Sequence, residues 1–403
     1  MSSYHADRKN RASQAFTRIY GTEPEVISQA PGRAEIIGNH TDYNSGYALS
    51  AAIARMTVSA ISKRDDRMIH VFSEGYSSEP LIFSIDNMIK GEHGNWLNYV
   101  KGVIHEIMKH SDKVTGMNIL IDSDVPSSGG VSSSAALELS LSTAMLQLFG
   151  ISMDPVKKAH MCQQAENGDL IGIPCGFLDQ ASSGLTKKDH LLFLDFLPSG
   201  DMPISDMKHI PVDLTKYDMS FVVIVDKDVK RNLGTSGYPA RRAQCEKSVP
   251  ILSKMLNREL RALRDVSVDE FTRVRDELEK IDPEMRMRVE HIVYENQRVL
   301  DAVKALETGE IETFGEILTA SGKSALELYE LDAETPELTK LVTEGRKIDG
   351  VVGMRNMGGG FSAIALALVR NSEMESFKKS LDTAYGPGLE YLPFVPSDGA
   401  GVM

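Results

Sequence analysis

Three polar segments carry residue types that could do chemistry together. Residues 125–138, VPSSGGVSSSAALE, run a glycine turn into three consecutive serines. Beyond them Leu137, Leu141, Met145 and Leu148 recur at offsets of three or four, the spacing of one buried helical face. Gly129 and Gly130 let the backbone curl, and Ser132 or Ser133 offers a hydroxyl to cap the first turn. Such a helix start has unpaired N–H groups and the positive end of the macrodipole, and so suits phosphate. No Gly-Lys-Ser/Thr follows the glycines, so this is not a Walker A loop. The plainer alternative is a capped helix that holds nothing.

Residues 30–44, APGRAEIIGNHTDYN, set Arg33, Asn39, His40, Asp42, Tyr43 and Asn44 beside a short apolar strand. Groups that both donate and accept suit a hydroxyl-rich ligand, although Asp-Tyr-Asn-Ser-Gly is also ordinary turn chemistry. Residues 174–183, PCGFLDQASS, place Asp179 among apolar neighbours, where a carboxylate must be solvated, paired or used. It could orient a sugar hydroxyl or take its proton, or simply serve as a helix cap or an ion-pair partner. Gly358, Gly359 and Gly360 between apolar runs permit close backbone approach to a ligand, or make a tight turn. In 238–246, YPARRAQCE, Tyr238 could hydrogen-bond a ligand, while Arg241 and Arg242 read as an exposed charged helix face. The ten histidines form no zinc-ligand spacing, and Trp96 reads as packing.

The elements that must position these groups are mixed. A short helix over 11–22 is expected, then strands at 36–37, 47–53, 57–61, 68–73 and 81–85. A helix over 96–109, a strand over 116–121, the serine helix, a helix over 154–170 and a strand over 191–196 follow. LPSGDMPISD, around 198–206, reads as a domain edge. Beyond it come a buried strand at 220–225, helices at 238–255, 268–279, 285–307 and 311–322, and a last helix at 372–385. Strands and helices do not alternate strictly, so the expected class is α+β.

At 403 residues the chain is long enough for two domains, placed at 1–205 and 206–403, with C-terminal segments free to pack back on the first. A net charge of −13 argues against a nucleic-acid surface. No apolar run approaches the ~20 residues of a membrane span, and MSSYHADRKN has no signal-peptide core. Cys162, Cys175 and Cys245 are scattered like reduced thiols, so a cytoplasmic protein is expected.

Taken in order, these strings resemble the galactokinase family of the GHMP small-molecule kinases. APGRAEIIGNHTDYNSGYALSAAI resembles its galactose signature, VPSSGGVSSSAALE its phosphate motif and CGFLDQ its catalytic-aspartate motif, with YPARRAQCE, GMRNMGGGF, WLNYVKGV and SDGAG matching further segments. The resemblance covers almost the whole chain. It implies a two-domain α+β fold with the active site in the inter-domain cleft. It also implies transfer of the ATP γ-phosphoryl to the anomeric hydroxyl of galactose or a similar sugar.

Carried over residue by residue, Asp179 and Arg33 would be catalytic. Asn39, His40, Asp42, Gly176 and Tyr238 would bind sugar. Ser128, Gly129, Gly130, Val131, Ser132, Ser133, Ser134 and Ala135 would bind ATP, and Ser134 and Glu166 would hold Mg²⁺. A second class, an inactive sugar sensor on the same fold, is opposed by the intact Ser132–Ala136 stretch and by Asp179. Another GHMP kinase activity is opposed by the His-Thr-Asp-Tyr-Asn string and YPARRAQCE.

Departures bear on the substrate. The family has Glu where this chain has Asn39, and that glutamate is understood to contact the C6 hydroxyl of galactose. A like-charge contact near 4 Å is worth about 1–4 kcal/mol at effective dielectrics of 80 to 20, so its loss is expected to admit a C6 carboxylate such as galacturonate. The stretch from Glu166 to Asp179 is one residue longer than the family pattern, and Phe-Ser-Ala follows the glycines instead of Phe-Gly-Gly.

Overall fold

The computed structural model describes residues 2–127, 130–229, 237–360 and 362–403, the side chains of residues 2–5 excepted. Ser128 and Gly129, two of the residues expected at the phosphates, lie outside the described residues, as does Phe361 of the altered glycine segment.

Among the described residues the strands form two sheets. The first takes β1 (Val26–Ile37), β2 (Tyr47–Lys63), β3 (Met68–Ser73), β4 (Leu81–Ser84), β5 (Met117–Ser123), β6 (His190–Asp195) and β7 (Asp206–Pro211). The second runs β11-β8-β10-β9, from β8 (Met219–Asp226), β9 (Val351–Asn356), β10 (Ile364–Arg370) and β11 (Leu389–Phe394). β12 (Gly401–Val402) returns to pair with β1. Pairing is antiparallel throughout except between β3 and β5.

The unbroken apolar run of β8 follows from burial on both faces. Phe221, Val223 and Val225 enter a core shared with Ala34, Ile36, Leu49 and Ile53 of the first sheet, and Val222 and Ile224 enter a second core under the C-terminal helices. The strands expected at 47–53 and 57–61 are one strand, β2. It pairs with β6 through residues 47–50 and with β5 through 57–63, so its Ala-Arg-Met interruption is spanned by β1 on the other side.

α3 (Ser133–Leu148) and α5 (Leu178–Leu185) pack on the first sheet, α2 (Trp96–Met108) and α4 (Pro155–Asn167) pack with them in the same core, and α1 (Ser2–Tyr20) lies against β2 and β5. α1 starts well before residue 11, because Arg8 is buried and donates to the Met56 and Asp122 carbonyls. The remaining helices are α6 (Tyr238–Met255), α7 (Val268–Ile281), α8 (Pro283–Thr308), α9 (Ile311–Leu328), α10 (Leu331–Glu334), α11 (Pro336–Gly345) and α12 (Met374–Tyr385). None of the described helices is long and apolar enough to cross a membrane.

Two further expectations are corrected. The Pro/Gly/Ser stretch at 198–206 is a bridged turn, Ser199 to Met202, inside the first sheet between β6 and β7, so the chain passes to the second sheet only after Pro211. α3 is not half exposed: Glu138, Ser140 and Ser142 are buried alongside Leu141 and Met145. Ser59 Oγ lies 2.8 Å from Ser140 Oγ, and Ser28 Oγ donates to the Ser140 carbonyl, which satisfies Ser140 inside the core.

Candidate active site

A cavity of about 1110 Å³ opens where β1, the N-termini of α3, α5 and α6, and the turn between β9 and β10 converge. It gathers Arg33, Asn39, His40, Asp42, Gly130, Ser132, Ser133, Ser134, Glu166, Gly176, Asp179, Tyr238, Gly358 and Gly359 on one wall system. Val131 and Ala135 are placed elsewhere: both side chains are fully buried in the core.

Arg33 sits just past an irregularity in the β1–β2 register, which turns its side chain toward the start of α3. Its Nε and Nη2 reach Asp179 Oδ1 at 2.8 and 2.7 Å, while Nη1 donates to the Gly130 carbonyl at 2.6 Å. The Arg33 backbone N–H donates to the Val131 carbonyl, so strand and loop are tied by main chain and side chain together. Arg33 is buried while Asp179 remains part-exposed to the cavity. Asp179 lies in the first turn of α5, where the helix dipole favours its negative charge.

Ser132 does not cap α3. It takes a left-handed backbone (φ 58°), and its buried hydroxyl has no hydrogen-bond partner among the described residues. Gly130 is also at positive φ (60°), and a Cβ there would overlap Ile364. The leading N–H groups of α3 therefore face the cavity without a side-chain cap.

Behind the loop lies a carboxyl cluster. Gln180 Nε2 donates to Glu138 Oε2 at 3.0 Å and to Glu166 Oε2 at 2.6 Å. Burial and then the Asp179 charge raise the Glu166 carboxyl, against the Ser134 hydroxyl and Gln180, which lower it; Glu138, fully buried against Glu166, is pushed well up. Glu138 Oε1 and Gln180 Oε1 are buried acceptors with no donor among the described residues. Carboxyl oxygens this close, with Glu138 Oε1 and the neighbouring Gln180 amide oxygen lacking donors, fit a hard divalent cation. Among the described residues no group of three or more His, Cys, Asp or Glu forms a complete metal cage, so such an ion would draw further ligands from phosphate and water.

The other end is aromatic and acidic. His40, at φ 62°, stacks on Tyr329 with centroids 4.5 Å apart, and its Nδ1 is 3.1 Å from Tyr43 Oη. Burial pushes its imidazole down to about 3, so it is neutral. The Asp42 carboxyl is pushed up to about 6, chiefly by burial, with the charges of Glu35 and Asp179 adding to it. Gly176 lies directly on this carboxylate: a Cβ there would overlap Asp42 Oδ2. Tyr238, at the start of α6, lies 5.7 Å from His40 between ring centroids.

Three expectations change here. Asn39 is not a free contact group: its Nδ2 donates to the Gly358 carbonyl at 2.6 Å and to Glu35 Oε1 at 3.2 Å, and its Oδ1 accepts from Asn356 Nδ2 at 3.3 Å. The carboxylate missing at position 39 is present at Glu35, which also lines the cavity. Arg241 is not on an exposed face, because it is buried and donates to the Tyr329 carbonyl and Glu334. Trp96, expected only to pack, packs on the core and also lines the cavity, with Tyr99 of the same WLNYVKGV segment and with Tyr76 and His93, to which the sequence assigned no role. Glu35 was legible in principle, since residues two apart on a strand share a face with Arg33. The aromatic wall was not, because it comes from β3, α2 and their connecting segment.

Comparison with known proteins agrees with this geometry. Residues 98–187 match the family model of the GHMP kinases N terminal domain, and residues 14–63 match the galactokinase galactose-binding signature. The galactokinase of Lactococcus lactis, solved with galactose, superposes with a TM-score of 0.87 at 29% identity, over 97% of this chain and 99% of that one. Mevalonate kinase of Methanococcus jannaschii shares the fold alone, with a TM-score of 0.61 at 15% identity over 92% of this chain and 98% of that one. A D-glycero-D-manno-heptose 1-phosphate kinase from Bacteriodes thetaiotaomicron does likewise, at 0.60 and 15% over 94% and 98%. The signature matches, the full-length superposition and the single cavity joining both motifs lead to one statement: this chain belongs to the galactokinase family of the GHMP kinases and is a phosphotransferase with an alcohol acceptor.

Proposed function

We propose that the protein transfers the γ-phosphoryl group of ATP to the anomeric hydroxyl of a galactose-like sugar, giving the sugar 1-phosphate and ADP. The observation that carries this reading is the Arg33 fork, which joins Asp179 Oδ1 to the Gly130 carbonyl of the phosphate loop. One cation thereby sits between the acceptor end and the donor end of the cavity, where charge develops as the phosphoryl group moves.

Asp179 Oδ1 is occupied by Arg33, so Oδ2 accepts the hydrogen bond of the sugar hydroxyl and aligns its oxygen for attack. The oxygen–phosphorus bond forms as the bond to the ADP oxygen breaks, and the hydroxyl proton leaves toward Asp179. The uncapped start of α3, from Gly130 to Ser134, receives the phosphates through its N–H groups. Ser134 and Glu166 would hold Mg²⁺, which supplies charge neutralisation at the β- and γ-phosphates. Asp42, His40 and Tyr238 bind sugar hydroxyls, with Gly176 giving Asp42 its room. The aromatic wall of Trp96, Tyr99 and Tyr76 suits the flat base of the nucleotide.

ADP release on mixing the protein with ATP, Mg²⁺ and galactose tests the reading, with the phosphate position read from phosphorus–proton coupling at C1. Sugar-independent ADP release only, or a phosphate at any other carbon, overturns it. The absence of turnover alongside tight sugar binding would instead establish a sensor.

A further inference from the structure

Glu35 is a buried acid with one oxygen in use. Its Oε1 accepts from Arg355 at 3.1 Å and from Asn39 Nδ2 at 3.2 Å, and its Oε2 takes no hydrogen bond from the described residues, although Glu35 lines the cavity. Arg355 is fully buried and also donates to the Ile36 carbonyl, so it fixes the position of Glu35 and is not itself on the cavity wall. Asn39, by contrast, has its amide nitrogen and its oxygen engaged by protein. Its backbone is gripped as well, the N–H by Glu295 and the carbonyl by His291. The side chain with hydrogen-bonding capacity to spare at this corner is therefore Glu35.

We infer that Glu35, not Asn39, is the specificity-determining residue at this corner, and that it selects a neutral, hydroxyl-bearing sugar over one carrying a carboxylate there. The inference rests on the sugar-kinase reading and names its substrate class. An oxygen of Glu35 can accept a hydroxyl hydrogen, whereas a second carboxylate would meet it with no donor between them. Nor is Glu35 the only negative group in range. The Asp42 carboxyl already feels the charges of both Glu35 and Asp179, so an anionic sugar would add a fourth negative charge. Arg33 and Arg355 are committed to Asp179 and Glu35, while Arg242, paired with the exposed Glu246, already offsets the Asp42 charge. The expected tolerance of a C6 carboxylate, drawn from Asn39 alone, thus loses its basis: the acid stands four residues earlier, hydrogen-bonded to the residue that lacks it.

Initial rates with galactose and with galacturonate at saturating MgATP test this on the unmodified protein. Galactose is expected to be preferred by about 100-fold or more in kcat/KM. Equal use of the two sugars, within about threefold, overturns the inference. Turnover of neither, or of no sugar at all, overturns the kinase reading itself. E35Q keeps the shape and removes the charge; it is expected to raise the galactose KM and narrow the sugar preference at least about tenfold, with the ATP KM within about twofold. E35D should recover part of the preference. A purely structural role for Glu35 would lower the unfolding midpoint of E35Q while leaving the preference unchanged, and that result also overturns the inference.

Discussion

Arg33 and Asp179 lie 146 residues apart in the chain and meet at a single oxygen, Asp179 Oδ1, through two guanidinium nitrogens. The third nitrogen of the same guanidinium holds the Gly130 carbonyl. Asp179→Asn keeps the size and removes the charge, so kcat is expected to fall by about 10²–10⁴ with the sugar KM changed little. Arg33→Lys cannot span both partners and should lose at least about tenfold in kcat, and the double variant should lose less than the product of the two. Steady-state kinetics on the three variants checks this.

Asp42 is expected to couple sugar binding to pH. Its folded-state pKa of about 6 stands above the usual value of 3.8, so the folded protein holds this proton more tightly than the unfolded chain does. Stability from this group is greatest below about pH 4 and declines as pH rises to 6, by up to about 3 kcal/mol. Asp42→Asn is therefore expected to melt higher than the parent at pH 8, with the difference vanishing at pH 4. The proposed contact of sugar hydroxyls with the ionised carboxylate predicts that galactose affinity in the parent weakens by about tenfold per unit below pH 6. Melting curves and calorimetric titrations at the two ends of this range decide it.

Glu295 acts from the far half of the chain. It is fully buried on α8 and accepts from the Gly38 and Asn39 N–H groups, both at 3.1 Å, from Ser321 Oγ at 2.6 Å and from Arg298 Nε at 2.7 Å. Burial alone would raise its carboxyl, but the charges of Arg298, His291 and Arg355 together with the Ser321 hydroxyl hold it well below the usual range. Glu295→Gln is expected to destabilise the fold by about 3–5 kcal/mol. Because a neutral amide holds the Gly38 and Asn39 N–H groups less strongly than the carboxylate does, the sugar KM should rise at least about tenfold more than the ATP KM. Equal effects on both would show that the residue serves only stability.

Gly176 gives a narrower test. Gly176→Ala puts a methyl group onto Asp42 Oδ2 and must push that carboxylate aside. The sugar KM should increase by about tenfold or more while ATP binding and the unfolding midpoint stay near those of the parent. Parallel titrations with sugar and with a non-hydrolysable ATP analogue measure the split.

Ser134 and Glu166 give the metal test. Ser134→Ala and Glu166→Gln should each raise the Mg²⁺ concentration for half-maximal rate by about tenfold or more, with sugar binding measured without ATP left intact. Mg²⁺ titrations of the initial rate read this directly.

Local patterning already located most of the elements. The apolar run of β8, the serine helix and α6 came from residue spacing, since burial of a strand face or a helix stripe is written in short-range periodicity. Much of what spacing missed has its source in polar burial. α3 looks two-faced in sequence, yet its buried Ser140 is satisfied by Ser28 and Ser59 from other elements, and Ser142 by the Leu139 carbonyl and Cys162. Arg241 looks exposed, yet it is neutralised by Glu334, 93 residues away. The edge strands β7 and β12 were missed for other reasons: β7 is largely exposed and shows no apolar alternation, and β12 has only two residues.

The same division runs through the site. By itself the sequence determined a glycine–serine helix start and two short polar segments carrying Arg33 and Asp179, because each is a local arrangement of residue types; that Arg33 lies on β1 and Asp179 on α5 came from the structure. Only the tertiary structure decided that Arg33 clamps the other two, that Ser132 leaves α3 uncapped, and that the acid beside Asn39 is Glu35. Those facts depend on which buried donors meet which buried acceptors across the cavity. Hydrogen bonding of that kind is settled by three-dimensional proximity, and no periodicity along the chain encodes it.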